Sequence, residues 1–441
     1  MPFGYRFPPV HEEVLPNGLR LMLVPHHEQE GVEIVLQVPV GRFADTRGKE
    51  GCAEMTVELM QRGTRECSAE AFSEALEHVG SGLFTEVGDE YMVIGARMLA
   101  RFMDRVLELF WDAVTSPRLD PEELRRLSRE HVTTLQAARS DPASLARRHF
   151  HAELCGPDHP MGRPRTQRSI TSVTINDIHD FYTRHFVPRA ATLLIVGDFD
   201  LQRVRQSWEK RFAGWRPEGG KQPQSPLSLP NTTNSRVRLV NKPGLTQATI
   251  MLGHPVPGEL DKDRLALSLA NYILGGGNFS SRLTARVRAE QGKTYGIGSQ
   301  ISFGTTAGVF SIGTTTQSGQ THDVLQSVLE EYRKFGREGP GEEELAKARE
   351  YAKGNLAIQL EGIGNIAEKL LWLRFFGRDN SHVELFDERV SCLDRGDVAE
   401  AVARHLSSPA FAIVVVGGKS AVFPGLERFG EVKTVGFRSD P

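Results

Sequence analysis

Nowhere does this 441-residue chain reach the roughly 18 consecutive apolar residues that a membrane helix needs, so a membrane-spanning helix is excluded. The opening stretch, MPFGYRFPPVHEEV, also lacks an apolar core of signal-peptide length. The expected location is the cytoplasm, or the periplasm if a leader has been trimmed. Basic runs are missing too. The 53 Lys and Arg are interspersed among 56 Asp and Glu, with a formal net charge of -3, so no electrostatic footprint for a nucleic-acid partner exists. Cysteine is scarce: Cys52, Cys67, Cys155 and Cys392 form neither a Cys-x-x-Cys pair nor another metal spacing, which points to free or buried thiols. Among 14 histidines there is no His-Glu-x-x-His in either direction. His149 and His151 stand two apart, which on a helix points them away from each other, and they read as surface or capping residues. A Gly-x-Ser-x-Gly nucleophile elbow is absent. The triple glycine at 275–277 is not followed by Gly-Lys-Ser/Thr, so it is no phosphate loop and instead predicts a tight turn before a helix starting at Ser280-Ser281-Arg282, where either Ser can cap.

What the chain does contain is a repeat. The segments SITSVTINDIHDFYTRHFVPRAATLLIVG, from Ser169, and RVSCLDRGDVAEAVARHLSSPAFAIVVVG, from Arg389, match at an offset of 220: Asp177 with Asp397, Arg184-His185 with Arg404-His405, and Gly197 with Gly417. The same offset carries Arg129-Glu130 onto Arg349-Glu350 within two long polar helical stretches. A chain of this length exceeds one ordinary core, and its 25% charged and 39% hydrophobic residues are those of a globular protein. Each copy opens with a β-branched run (VEIVLQVPVG from Val32, ATIMLGHPVPG from Ala248), continues with a long helical stretch, strands and further helices, and closes on an apolar strand, LLIVG or IVVVG. Strands and helices mix without regular βαβ alternation. That predicts an α+β fold of two homologous domains, each a largely antiparallel sheet with helices packed on one face. Pro, Gly, Ser and Asn mark residues 216–235 as a linker between an N-terminal domain (1–215) and a C-terminal domain (236–441), long enough to let the two face each other as a clamshell.

One motif has the frame of a metal site without its ligands. The stretch GKEGCAEMTVELMQRGT, residues 48–64, resembles the zinc helix of the pitrilysin/insulinase peptidase family, whose inverted motif runs G-x-A-H-x-x-E-H-x-x-x-x-G-T. In such a helix two His one turn apart share one ion and the Glu polarises the attacking water. Matching Gly51, Ala53, Gly63 and Thr64 places Glu54 and Glu58 at the two His and Val57 at the catalytic Glu. The family's third ligand, a Glu on a later helix, falls on Ala137 when REHVTTLQAARSDP is matched through Glu130 and Asp141-Pro142. Glu54 and Glu58 read either as a solvated or salt-bridged helix face or as ligands of a hard cation, which would need further oxygens. Val57 cannot take a proton. The resemblance therefore implies no metal and no catalytic residue on this chain alone.

The second copy keeps its motif. GGGNFSSRLTARVRAEQGKTYGIGSQISF, from Gly275, resembles the family's G-G-x-x-S-R-L, R-E and G-x-x-Y pattern, in which an Arg and a Tyr seven residues apart reach across the clamshell to grip substrate and stabilise an oxyanion. Arg288 and Tyr295 have that spacing. On spacing alone Arg288 is equally a helix-surface residue pairing with Glu290, and Tyr295 a core or strand residue. LPNGLRLMLVPHHE, HPMGRPRTQRSITSV and VGDFD extend the likeness over almost the whole chain. The resemblance implies the non-catalytic subunit of a heterodimeric zinc peptidase: a zinc-bearing paralogous partner supplies the ion, and this chain supplies Arg288 and Tyr295 toward a peptide or unfolded protein. A structural or interaction protein of the same fold without a peptidase role, and a weak peptidase with unconventional metal binding at Glu54 and Glu58, are the alternatives.

Overall fold

The β-branched runs form the centres of two six-stranded sheets in a computed structural model that describes residues 5–215, 228–230 and 234–441. The first sheet holds β1 (His11–Val14), β2 (Arg20–Pro25), β3 (Gly31–Val38), β4 (Gly82–Val87), β5 (Met92–Leu99) and β6 (Thr192–Gly197), in the order β1-β2-β6-β3-β5-β4. The second holds β7 (Arg236–Asn241), β8 (Gln247–Pro257), β9 (Thr294–Phe303), β10 (Ala307–Gln317), β11 (Ala412–Gly417) and β12 (Glu431–Gly436), in the order β12-β7-β11-β8-β10-β9. Five strands thus recur in one order, as the internal repeat predicts. The edge strand differs: β1 comes first in the chain and is antiparallel to β2, whereas β12 comes last and is parallel to β7. Among the described residues only β2/β6, β7/β11 and β7/β12 are parallel, so the architecture is the largely antiparallel α+β one expected. Most of the linker expected at 216–235 lies outside the described residues.

Local chemistry repeats with the strands. The helices Ile175–His185 and Arg395–His405 have equal length and start 220 residues apart. Each opens with a capping box, Thr174 with Asp177 and Asp394 with Asp397, which satisfies orphan N–H groups of the first turn. Each ends in Arg-His, where positive charge complements the helix C-terminus. Most matched positions are therefore helix ends and strand ends, while Arg129-Glu130 and Arg349-Glu350 lie inside long helices.

The closing strands are continuous apolar runs because both of their faces are covered. Leu193 and Ile195 of β6 enter the core beneath their own helices, while Leu194 and Val196 point to the other face. There the helix Ile363–Phe375, from the C-terminal half, lays down Ile366, Leu370 and Leu371. The reverse also holds: Pro142–Cys155, from the N-terminal half, packs Leu145, Phe150 and Leu154 on Val414 and Val416 of β11. Asp141 starts that helix by accepting from the N–H groups of Ala143 and Ser144, with Pro142 in the first turn. Helices of each half thus lie on one face of their own sheet, and the second face takes a helix from the opposite half. His149 sits in this crossing and is 1% exposed, so the surface or capping role expected for it is corrected. Burial, with Arg238 and Arg148 nearby, pushes its imidazole down to about 4 and keeps it neutral.

Candidate functional site

The motif at 51–64 forms the helix Cys52–Met60. Buried Asp45 holds its first turn by accepting from the N–H groups of Gly51 and Ala53, both at 2.7 Å. Burial nevertheless pushes the Asp45 carboxyl up to about 6, with Glu50 and Glu54 adding repulsion to the effect. At the other end Gly63 has φ 97, and a Cβ there would meet the Cys67 carbonyl at 2.6 Å, so the frame glycine answers a backbone need that outlasts any ion. Val57 is fully buried in the core of the first half.

Glu54 and Glu58 face the helix Pro121–Ala138, and Arg165 and His131 already engage them. The Arg165 guanidinium pairs with Glu54 and also reaches His131 Nδ1 at 3.4 Å. His131 Nε2 lies 2.9 Å from Glu58 Oε2. A guanidinium only donates, so Nδ1 is the acceptor and Nε2 carries the hydrogen toward Glu58. The result is a closed chain, Glu54–Arg165–His131–Glu58. Ala137 is exposed, and the side chain this helix presents to the pair is His131, six residues earlier. Neither His131 nor Arg165 was singled out from the sequence. Both come from outside the motif, and only the meeting of two helices and the segment before Thr166 brings them together.

A zinc ion does not fit this donor set. Glu54, Glu58 and His131 do not bring their ligand atoms within 4.8 Å of one another; among the described residues only Asp261, Asp263 and His405 do. A permanent cation, Arg165, stands against one of the two carboxylates, and no base replaces Val57.

The second motif is arranged differently. Two π-helical turns, Tyr272–Gly276 and Thr284–Glu290, flank its loop, a form often found at functional sites. Gly275 lies here because β9 passes close: a Cβ would meet Ser299 Oγ at 2.5 Å. None of the three glycines has a positive φ; the tight turn expected there follows them, with the Ser280 N–H donating to the Gly277 carbonyl at 3.2 Å and the positive φ falling on Asn278. Ser281 does not cap through its hydroxyl, which donates to the Asn278 carbonyl at 2.7 Å. Arg282 anchors the segment through bonds of 2.7 and 2.6 Å to the two oxygens of Glu344.

Arg288 and Tyr295 come together at the start of β9. The Arg288 guanidinium carbon lies 4.5 Å from the ring centre of Phe279 and 5.3 Å from that of Tyr295. Tyr295 is 90% exposed and Phe279 76%. Glu290 pairs with Arg286, and Arg288 has no carboxylate partner among the described residues. Phe279 was also missed from the sequence. No hydrogen bond, ion pair or ring contact among the described residues links this group to Glu54, Glu58 and Val57.

Two family models match the chain: "Insulinase (Peptidase family M16)" over residues 21–164 and "Peptidase M16 inactive domain" over residues 172–351. The chain belongs to the insulinase family, M16. Its relatives include a Streptomyces coelicolor protein named an uncharacterized zinc protease, to which this M16 chain is 25% identical over 416 residues, 92% of this chain and 89% of that one. Another, from Helicobacter pylori, is named a non-peptidase homolog and is 23% identical, with 74% of each chain covered. The fold is also that of a crystal structure described as a peptidase M16 inactive domain from Pseudomonas fluorescens, with a TM-score of 0.84 at 22% identity, covering 93% of this chain and 98% of that one. Within the M16 frame, then, the first half carries the chain Glu54–Arg165–His131–Glu58 and the second an exposed Tyr295 beside Arg288. Among the described residues no helix is long and apolar enough to cross a membrane.

Proposed function

We propose that this chain is the non-catalytic subunit of a two-chain zinc peptidase, in which it binds peptide and lends Arg288 and Tyr295 to the active site of a zinc-bearing paralogous partner. The observation that carries this reading is the state of Arg288, which is held between two exposed aromatic rings with no carboxylate partner among the described residues. Arg282, by contrast, is tied into the fold by its pair with Glu344. Here the charge is left for a ligand, and a phenol beside it supplies a donor for a peptide carbonyl or a developing oxyanion. The first half supports a division of labour, since its two carboxylates are engaged by Arg165 and His131.

The test mixes this chain with a separately purified zinc-bearing paralogue and follows cleavage of a fluorogenic peptide. Mixing should raise the rate, and Arg288→Ala should remove most of the gain without changing the circular dichroism spectrum. An unchanged rate on mixing would sink the proposal. The name "non-peptidase homolog" borne by one relative favours a second reading, an interaction protein of the same fold. On that reading partner binding survives in Arg288→Ala and peptide cleavage never responds.

A further inference from the structure

The C-terminal half contains a second unassigned feature, at the place where the first half carries its altered metal motif. By the internal repeat, the helix Glu342–Gln359 is the counterpart of Pro121–Ala138. The helix Arg264–Asn271 stands between β8 and β9 as Cys52–Met60 stands between β3 and β4. In the first half Arg165 reaches in between the two helices. In the second half a cavity of about 310 Å³ opens beside them, walled on its far side by Lys369, Trp372 and His382.

The charges around this cavity do not balance. Arg264, Lys369, Arg378 and Arg389 surround Trp372 and His382, and a single carboxylate, that of Glu259, is ion-paired with any of them. Glu259 is 2% exposed: Arg264 donates to one of its oxygens at 2.8 Å, while the other lies 3.1 Å from the Arg378 guanidinium as an ion pair without an aligned hydrogen bond. Arg389 spends its guanidinium on His382, 3.0 Å from Nδ1 and 2.9 Å from the carbonyl oxygen. Lys369 is left over. Its ammonium lies 4.9 Å from the centre of the Trp372 ring, and among the described residues it has neither a hydrogen bond nor an ion pair. Burial, then repulsion from Arg264, lowers its affinity for a proton against the opposing pull of Glu368 and Glu259, and burial first, then Arg389, Arg378 and Arg264, pushes His382 down to about 3. A half-buried ammonium without a partner is costly unless something supplies the missing negative charge. The remaining walls say what carries that charge. Tyr272 and Tyr351 stack at 4.4 Å, and Leu265 and Phe386 are apolar, while Asn355 and Gln359 offer side-chain amides that bond to nothing else among the described residues.

We propose that this cavity binds a small organic anion, a carboxylate or phosphate carried on an aromatic or branched apolar body, with Lys369 as its charge partner and Trp372 as its platform. The cavity lies in the size range of small-molecule sites, and its mix of apolar wall and few convergent polar groups is what such sites use. The proposal stands independently of any peptidase partner.

The experiment uses the full chain and three probes: benzoate, phenyl phosphate and the neutral isostere benzamide, with inorganic phosphate as a fourth. Trp372 lines the cavity, whereas Trp111, Trp208 and Trp215 belong to the core of the first half, so tryptophan fluorescence reports occupancy in the unmodified protein. Benzoate or phenyl phosphate should change that fluorescence saturably while benzamide does not, and Trp372→Phe should abolish the response. Preference between the two anions identifies the charged group, and a response to inorganic phosphate alone would overturn the requirement for an apolar body. By calorimetry Lys369→Met, which keeps the aliphatic stem, should weaken binding at least about tenfold, the scale of one charge-assisted bond. Lys347→Met, which removes an exposed Lys paired with Glu343, should change nothing. Absence of any anion response in the unmodified chain, or a benzamide response equal to that of benzoate, would overturn the proposal.

Discussion

Two carboxylates one turn apart on a helix repel, and here Arg165 and His131 supply the compensating donors. Arg165→Met should therefore lower stability by about 1 kcal/mol, a modest figure because the guanidinium is a third exposed and solvent screens the pair. Adding Glu54→Gln to it should recover part of the loss, measurable as a coupling in urea denaturation midpoints. Asp45 makes a separate prediction. Its folded-state pKa, about 6, is raised above the ordinary 3.8, so folding favours its protonated form. Its contribution is therefore fully present below about pH 4 and is lost as pH rises through about 6, an effect of at most about 3 kcal/mol. Compared with Asp45→Asn, the natural chain should lose stability between pH 4 and 6, and parallel pH curves for the two proteins would refute this.

Single helices carry contacts that their own half does not use. Pro142–Cys155 belongs by sequence to the first half, yet its apolar face lies on β11 and β8 of the second. Phe150 is fully buried there, and Phe150→Ala should cost about 3–5 kcal/mol, read from a chemical denaturation curve. The paired helices Ile175–His185 and Arg395–His405 start with capping boxes, so Asp394→Ala should cost about 1 kcal/mol through loss of its bond to the Asp397 N–H. In the C-terminal motif the π-helical turns and the Arg282–Glu344 pair hold the loop that carries Phe279, and the second of those turns, Thr284–Glu290, carries Arg288 itself.

For the whole molecule, the exchange of helices means that neither half completes its own packing. Leu194 and Val196 would be bare without Ile366 and Leu370, and Val414 and Val416 without Phe150 and Leu154. Ionic contacts follow the same crossings, with Glu153 against Arg238 at 2.7 Å and Arg374 against Glu12 at 2.8 Å. Residues 1–215 and 236–441 expressed separately should aggregate or stay unfolded, while co-expression should restore a one-to-one complex on size-exclusion chromatography. A monomeric, cooperatively folding N-terminal half would show that the crossing helices are dispensable.

Periodicity, caps and strand ends are local, so the repeat at offset 220, the α+β architecture and the placing of Glu54 and Glu58 one turn apart on a helix were legible in the chain itself. The spacing of Arg288 and Tyr295 was legible too, but whether that Arg was free or paired with Glu290 was not, because both choices fit one sequence. Tertiary structure decided what depends on distant segments meeting: that Arg165 and His131 engage the two glutamates, that His149 is buried between the halves, that Phe279 completes the cradle of Arg288, and that Lys369 is left without an anion. Sequence sets which groups can interact within a turn or a strand; which charge lies beside which, across a hundred residues or more, is fixed only when the helices pack.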